Sequence, residues 1–310
     1  MIVEIKQLLK RYGDTIAVDH VSLSIKEGEI FGLLGPNGAG KTSTISILAG
    51  FARMDDGEVN MFNRSLLSHE MEIKRQLGVV PQEIAVFEDL NVQENLTFFG
   101  RIYGLKGAKL KANVDAAMEF TGLTDKRTAN PKTFSGGMKR RLNIACAIVH
   151  QPKLIIFDEP TVGIDPQSRN HILQSIKQLN REGSTVIYTS HYMEEVEELC
   201  TRLVILDHGR IIASGTSEEL KDLVSSEDRI TVEVSLLNYT FVDCVKRLPG
   251  VRDCTVSGQQ VTITMQKQAF KLAQLLECAS SANSEIVSFY KEKPTLEQVF
   301  LTLTGRSLRD

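Results

Sequence analysis

A chain of 310 residues has room for one large domain and a smaller one. Its 42% hydrophobic and 24% charged residues are those of a soluble globular protein, and a formal charge of -3 gives no electrostatic reason to expect nucleic acid. Five cysteines (Cys146, Cys200, Cys244, Cys254 and Cys278) are widely spaced, odd in number and without a C-x-x-C pair, which argues against a disulfide framework or thiolate metal site and for a reducing cytosol.

The opening Met1-Ile2-Val3-Glu4-Ile5-Lys6 lacks the layout of a secretory signal. No run approaches the ~18 apolar residues of a membrane span, so any membrane path is expected from other chains. Ile2 to Ile5, Val18 to Ile25 and Ile30 to Leu34 read as strands, and Gly35 to Gly40 as a loop. A helix follows from Lys41 to Ala49, stopped by Gly50. Leu77 to Val80 is a strand ending at Pro81. From Glu88 to about Val149 the pattern is mostly helical, broken near Gly104 to Gly107 and at Asn130-Pro131. Within it, Lys139-Arg140-Arg141 reads as the solvated side of a helix.

Leu154-Ile155-Ile156-Phe157, a continuous apolar run ending at Asp158, is the strongest buried-strand signal. Asp165 and Pro166 then cap a helix with Ile172, Ile176 and Leu179 on one face, closed by Gly183. Thr185 to Thr189 is the next strand, and strand-helix-strand alternation predicts a mainly parallel sheet. Leu203 to Leu206 and Arg210 to Ala213 form a hairpin, and Thr216 with Glu219 has capping-box spacing. The polar run Ser225-Ser226-Glu227-Asp228 marks a boundary. Beyond it come strand 230–234, helix 241–248, strands 251–256 and 261–265, helix 268–279 and strand 285–290. That βαββαβ order predicts a small ferredoxin-like domain, followed by a helix over 295–303 with Leu296, Val299 and Phe300 on its apolar face.

Gly35-Pro36-Asn37-Gly38-Ala39-Gly40-Lys41-Thr42 satisfies G-x-x-x-x-G-K-[ST] at every constrained position. A polyphosphate needs converging N–H donors with no side chains between them, and the helix starting at Lys41 adds its N-terminal partial charge. Lys41 would reach the β- and γ-phosphates and the Thr42 hydroxyl would be a Mg²⁺ ligand. Asp158 is the natural second metal anchor, and the adjacent Glu159 would poise a water against the γ-phosphate. Ser135, Gly136 and Gly137 present a hydroxyl and open N–H groups at another helix start, a second anion site far along the chain. Spacing alone leaves three residues open. His191 could be structural, Tyr12 could stack on adenine or simply pack, and Gln82 could face the metal or merely end its strand.

Taken in order, these motifs over residues 1 to about 220 resemble the ATPase subunits of ABC transporters. The resemblance implies an α/β P-loop NTPase core of the ABC type over 1–222 with a helical subdomain at about 88–149, and a small C-terminal α+β accessory domain over 223–310. It also implies ATP and Mg²⁺ as ligands. Tyr12 is similar to the adenine-stacking aromatic, residues 35–42 with Ser43 to the phosphate loop, and Gln82 to the metal-sensing glutamine. Asp158 and Glu159 correspond to the metal-binding aspartate and catalytic glutamate, Gly163-Ile164-Asp165 to the D-loop, and His191 to the switch histidine. Phe134-Ser135-Gly136-Gly137-Met138 resembles the signature that closes over ATP held by a second subunit, with Phe134 and Met138 in place of the commonest leucine and glutamine.

SGGMKRRL from Ser135, NVQENLTFFGRIYGL from Asn91 and PTLEQVFLTLTGR from Pro294 are similar to ATPases of ABC-2-type exporters, the sodium-export and daunorubicin-resistance group. The expectation is an ATPase that powers export, working as a homodimer or paired subunit on the cytoplasmic face of the membrane with a multi-span permease. An importer ATPase is the runner-up. A soluble translation ATPase would more often join two cores and carry a basic RNA-gripping linker. A module that holds nucleotide without turnover would have lost Glu159 or His191.

Overall fold

The computed structural model describes residues 1–224, 227–267, 269–292 and 294–305. They form two compact units, Met1–Ser217 with 303–305 and Glu218–Thr302.

In the larger unit, β1 (Val3–Tyr12), β2 (Thr15–Ile25), β3 (Ile30–Leu34) and α1 (Lys41–Leu48) are followed by β4 (Asp56–Met61), β5 (Arg64–Ser65), α2 (Leu66–Lys74) and β6 (Leu77–Val80). Three helices come next, α3 (Val92–Ile102), α4 (Gly107–Phe120) and α5 (Gly136–Ile148). The chain then alternates through β7 (Leu154–Asp158), α6 (Pro166–Arg181), β8 (Thr185–Thr189), α7 (Met193–Leu199), β9 (Arg202–Asp207) and β10 (Arg210–Gly215), and α8 (Ser217–Val224) follows, all but its first residue belonging to the smaller unit. β1, β2, β4 and β5 make an antiparallel sheet in the order β2-β1-β4-β5. The main sheet has the order β10-β9-β3-β8-β7-β6, parallel except for the β9–β10 hairpin.

β3, β7 and β8 are buried at every residue, the condition that selects continuous apolar runs rather than alternation. One core joins the two sheets, with Val3, Ile5 and Leu8 packed into the same cluster as Leu33, Ile47 and Ile156. Sheet order also decides where chemistry can sit. The carboxyl ends of β3, β8, β7 and β6 are neighbours, and ligands of open parallel sheets bind outside such ends.

The three helices are set by local rules. Asn91 and Glu94 form a complete capping box at α3, worth about 1 kcal/mol. The buried Asn95 accepts from the Phe87 N–H at 2.9 Å and donates to the carbonyls of Phe87, Leu90 and Asn91, pinning the segment between β6 and α3. One expectation about α5 fails. Lys139-Arg140-Arg141 is not a solvated face, because Arg140 is buried and donates to the Pro81 carbonyl at 2.6 Å and to that of Gln82. Lys139 pairs with Glu88, and Arg141 donates to the Thr121 carbonyl. The basic run faces carbonyls and an acid of neighbouring segments, which charge counting along one helix cannot reveal.

The smaller unit contains β11 (Glu227–Val234), α9 (Tyr239–Lys246), β12 (Val251–Ser257), β13 (Gln260–Gln266), α10 (Leu272–Ser281) and β14 (Ile286–Glu292). Its antiparallel sheet runs β12-β13-β11-β14, the ferredoxin-like arrangement expected from the element order. Ile230, Val232, Val261 and Ile263 pack with Phe241, Val245 and Leu275. A helix α11 (Leu296–Thr304) buries Leu296, Val299 and Phe300. The expected helix start at Gln268 lies outside the described residues. The cysteine reading is corrected here, since Cys244 on α9 and Cys278 on α10 form a disulfide with a Cα separation of 5.6 Å. Both residues contribute to one core cluster, a proximity unrelated to their 34-residue separation in sequence, so cysteine spacing gives no support to a reducing cytosol.

Candidate functional site

The loop after β3 is shaped by backbone approach. Gly35 and Gly40 have φ of +154° and +102°, and a Cβ on either would lie 2.4 Å from a carbonyl oxygen, of Leu206 and Ala17 respectively. No side chain fits there. Pro36 and Ala39 are buried, whereas Asn37 and Gly38 are exposed. α1 begins at Gly40 with no side-chain cap and no acid in its first turn, so its N-terminal N–H groups remain available to an anion.

Lys41 is 6% exposed and folds back over the loop, its ammonium donating to the Gly35 carbonyl at 2.7 Å and the Pro36 carbonyl at 3.1 Å. Burial pulls its pKa below the ordinary lysine value, and the charges of Glu159 and Asp158 oppose the fall. Thr42 is exposed and Ser43 half-buried at the same helix end.

At the end of β7, Asp158 is 8% exposed and accepts a 2.7 Å hydrogen bond from the Thr189 hydroxyl of β8. Burial pushes its carboxyl above the ordinary value, against the effect of that hydrogen bond. Glu159 stands at φ +46°, a left-handed backbone that costs a non-glycine residue about 1–3 kcal/mol. Its N–H donates to the Thr189 hydroxyl at 2.9 Å, so β8 holds it there. His191 follows β8, and its Nδ1 lies 3.3 Å from the Glu159 Oε2.

Lys41, Asp158, Glu159 and His191 are therefore brought together from the ends of three adjacent strands. Gln82 is exposed beyond β6, and only its backbone carbonyl, through Arg140, has a described contact. Tyr12 is 51% exposed at the tip of the β1–β2 hairpin with the Lys10 ammonium 5.1 Å from its ring centre, so its face is not consumed by packing.

Ser135, Gly136 and Gly137 form a separate place in the fold. Ser135 caps α5 by accepting from the Met138 N–H at 3.3 Å, and Ser135 and Gly136 are exposed. Gly137 is buried against α6, where an added Cβ would lie 2.2 Å from the Ser168 hydroxyl. Asp165 caps α6 by accepting from the Ser168 N–H at 2.9 Å, which holds its carboxyl below the usual carboxylate range. The signature thus lies beside the Asp165 segment of its own chain.

Among the described residues no group of three His, Cys, Asp or Glu could cage a metal. What fits a small divalent cation here is a partial donor set, the Thr42 hydroxyl with the Asp158 carboxylate, the kind of site Mg²⁺ shares with bound phosphates. Arg140, Thr189 and Glu195 escaped the sequence reading. Thr189 had a signal, as the last strand residue two before His191, but neither arginine nor glutamate had one. No helix among the described residues is long and apolar enough to cross a membrane.

The family model described as ABC transporter matches residues 18–162, and that of the C-terminal domain of DrrA1-3-like ATP-binding proteins matches 215–304. The linearmycin resistance ATP-binding protein LnrL of Bacillus subtilis is 44% identical over the whole of both chains. The daunorubicin/doxorubicin resistance ATP-binding protein DrrA of Streptomyces peucetius is 36% identical, covering 99% of this chain and 94% of its own. Among solved structures, an ATP-binding subunit of an ABC transporter superposes with a TM-score of 0.67 at 28% identity, over 72% of this chain and 93% of its own. A dimeric ATP-binding cassette in a post-hydrolysis state, bound to ADP and Pi, does so at 0.63 and 25%, over 69% and 98%.

Proposed function

The chain belongs to the ATP-binding, ATP-hydrolysing subunits of the ABC transporter family, and from that premise we propose that it powers export through a site shared between two ATPase subunits. The observation that carries the reading is the convergence of Lys41, Asp158, Glu159 and His191 at adjacent strand ends beside an uncapped helix N-terminus.

In this reading the N–H groups of Gly38 to Ser43 cradle the phosphates and Lys41 exchanges its carbonyl partners for phosphate oxygens. Mg²⁺, when bound, neutralises phosphate charge as the transfer proceeds. Thr42 and Asp158 would hold it, with Gln82, beyond β6, as a further ligand. Glu159 orients the attacking water and takes up its proton, while His191 holds the Glu159 carboxylate and the γ-phosphate end of the site. Tyr12 stacks on adenine. Ser135, Gly136 and Gly137 of a second subunit complete the phosphate cage, with Asp165 at the seam. A separate anion cradle within one chain, exposed at Ser135 and Gly136, supports this trans arrangement.

Export follows the relatives, which include Nod factor export ATP-binding protein I of Cupriavidus pinatubonensis at 36% identity over 100% of this chain and 92% of its own. A multi-span permease subunit docking near Gln82 to Glu88 places the chain peripherally on the cytoplasmic face. The direct test is Glu159→Gln, which should bind ATP, stop hydrolysis and accumulate as an ATP-dependent dimer by size exclusion with light scattering. Adding Ser135→Arg should abolish that dimer. Wild-type turnover by Glu159→Gln would defeat the assignment.

A further inference from the structure

Behind the site lies a carboxylate that the reading above does not use. Glu195 on α7 is 1% exposed. Its Oε2 accepts from the hydroxyls of Thr161 at 3.0 Å, Tyr188 at 2.6 Å and Ser190 at 2.7 Å, and its Oε1 lies 2.6 Å from the Arg169 Nε. A buried carboxylate is tolerated only when so partnered, and removing a partner from such a network is costly.

The partners come from different pieces of the site. Thr161 lies between Glu159 and Asp165, and Arg169 sits one turn into α6, its N–H on the Asp165 carbonyl at 2.9 Å. Tyr188 is in β8. Ser190 adjoins His191 and accepts from the Tyr192 N–H at 2.9 Å, so its hydroxyl shapes the backbone that carries the histidine. The Arg169 guanidinium also stands 4.7 Å from the Tyr192 ring centre. One carboxylate therefore bridges the segment running from Glu159 to Asp165 and the loop carrying His191.

We propose that Glu195 is a positioning residue for hydrolysis, fixing the His191 loop against the Thr161–Asp165 segment so that both hold one register around Glu159. The proposal rests on the roles assigned above to Glu159 and His191. Three hydroxyls donate to Oε2, while Arg169 meets Oε1 as an ion pair without hydrogen-bond alignment, so the site suits a charged, acceptor-only side chain. Glutamine keeps the shape but brings donors of its own and loses the charge that engages Arg169. The His191–Glu159 contact is already 3.3 Å, and a displacement of about 1 Å in a catalytic arrangement costs on the order of 100-fold in rate.

The experiment uses the full chain and the variants Glu195→Gln, Arg169→Met and His191→Ala. It measures kcat and KM for ATP, together with amide hydrogen exchange of the nucleotide-free protein. Glu195→Gln should lower kcat by about fivefold or more while KM changes by less than about threefold, the signature of a lost arrangement rather than lost binding. Exchange should rise together in peptides spanning 160–165 and 189–193, with 154–157 unchanged. Arg169→Met spares the hydroxyl donors, should move the same readouts in the same direction, and decides the matter if Glu195→Gln does not fold. A smaller fall in kcat, a KM rising in step with it, or exchange confined to α7 overturns the proposal. Wild-type turnover by His191→Ala would instead defeat the reading of the site, and the exchange data would still judge the linkage.

Discussion

Replacing Arg140 by methionine isolates a contact between the signature helix and the Gln82 segment. Arg140 is 3% exposed, and its guanidinium donates to two carbonyls beyond β6, those of Pro81 and Gln82, while its buried Nε has no hydrogen-bond partner among the described residues. Charge-assisted bonds of this type contribute about 1.5–3 kcal/mol each, against a desolvation cost of several kcal/mol for the cation. Burial pulls the Arg140 pKa down, the mark of that cost. Methionine keeps the apolar stem and donates nothing. Pro81 is half-buried and Gln82 exposed, so water replaces part of what is lost at Gln82. The net loss comes to about 2–3 kcal/mol, or about 4–12 °C in the unfolding midpoint of a domain this size. Calorimetry of the nucleotide-free chain measures it. Arg140→Lys should fall between, since one ammonium cannot fork to two carbonyls. A midpoint within about 2 °C of wild type for Arg140→Met would show that the contact is not a structural tie.

Lys41→Ala should abolish ATP turnover in a phosphate-release assay yet move the nucleotide-free midpoint by less than about 2 °C, because a desolvated cation is removed with its bonds. Asp158→Asn should end turnover and raise nucleotide-free stability at neutral pH. The folded pKa of Asp158 is raised, so relative to the unfolded chain its contribution becomes unfavourable as pH rises through that folded value. Stability curves of the two proteins should therefore converge below the ordinary aspartate range and separate above it. Gly137→Ala should force α5 away from Ser168, lowering the midpoint measurably and weakening ATP-dependent dimerisation in light scattering.

The parts of the candidate site are legible in the sequence because each is local. The Gly35 to Thr42 loop, the acids at the end of β7 and the Ser135-Gly136-Gly137 helix start are each continuous in sequence, and β3 and β7, which carry the first two, are uniformly buried. The sequence pattern supports β1 only to Ile5, because Gln7, at φ +49°, breaks the alternation where the pairing register shifts between Ile5 and Leu8. α2 buries only Leu66 and Ile73 and shows no apolar stripe, and α7 is seven acidic-rich residues. What stayed hidden depends on distant segments meeting. Arg140 reaches a strand end 59 residues away, Glu195 collects partners from β8, α6 and two loops, and Cys244 meets Cys278 across two helices.

The central claim is that two chains build each ATP site, and a mixture of variants tests it most directly. A Lys41→Ala chain lacks a working phosphate loop and a Ser135→Arg chain lacks a working signature, so neither alone can form an intact site. Together they can form one, from the loop of the second and the signature of the first. With Glu159→Gln in both chains to block turnover, light scattering with ATP and Mg²⁺ should show dimer in the mixture and monomer in each chain alone. A mixture no more dimeric than its components, at concentrations where the Glu159→Gln chain is fully dimeric, would contradict the shared site.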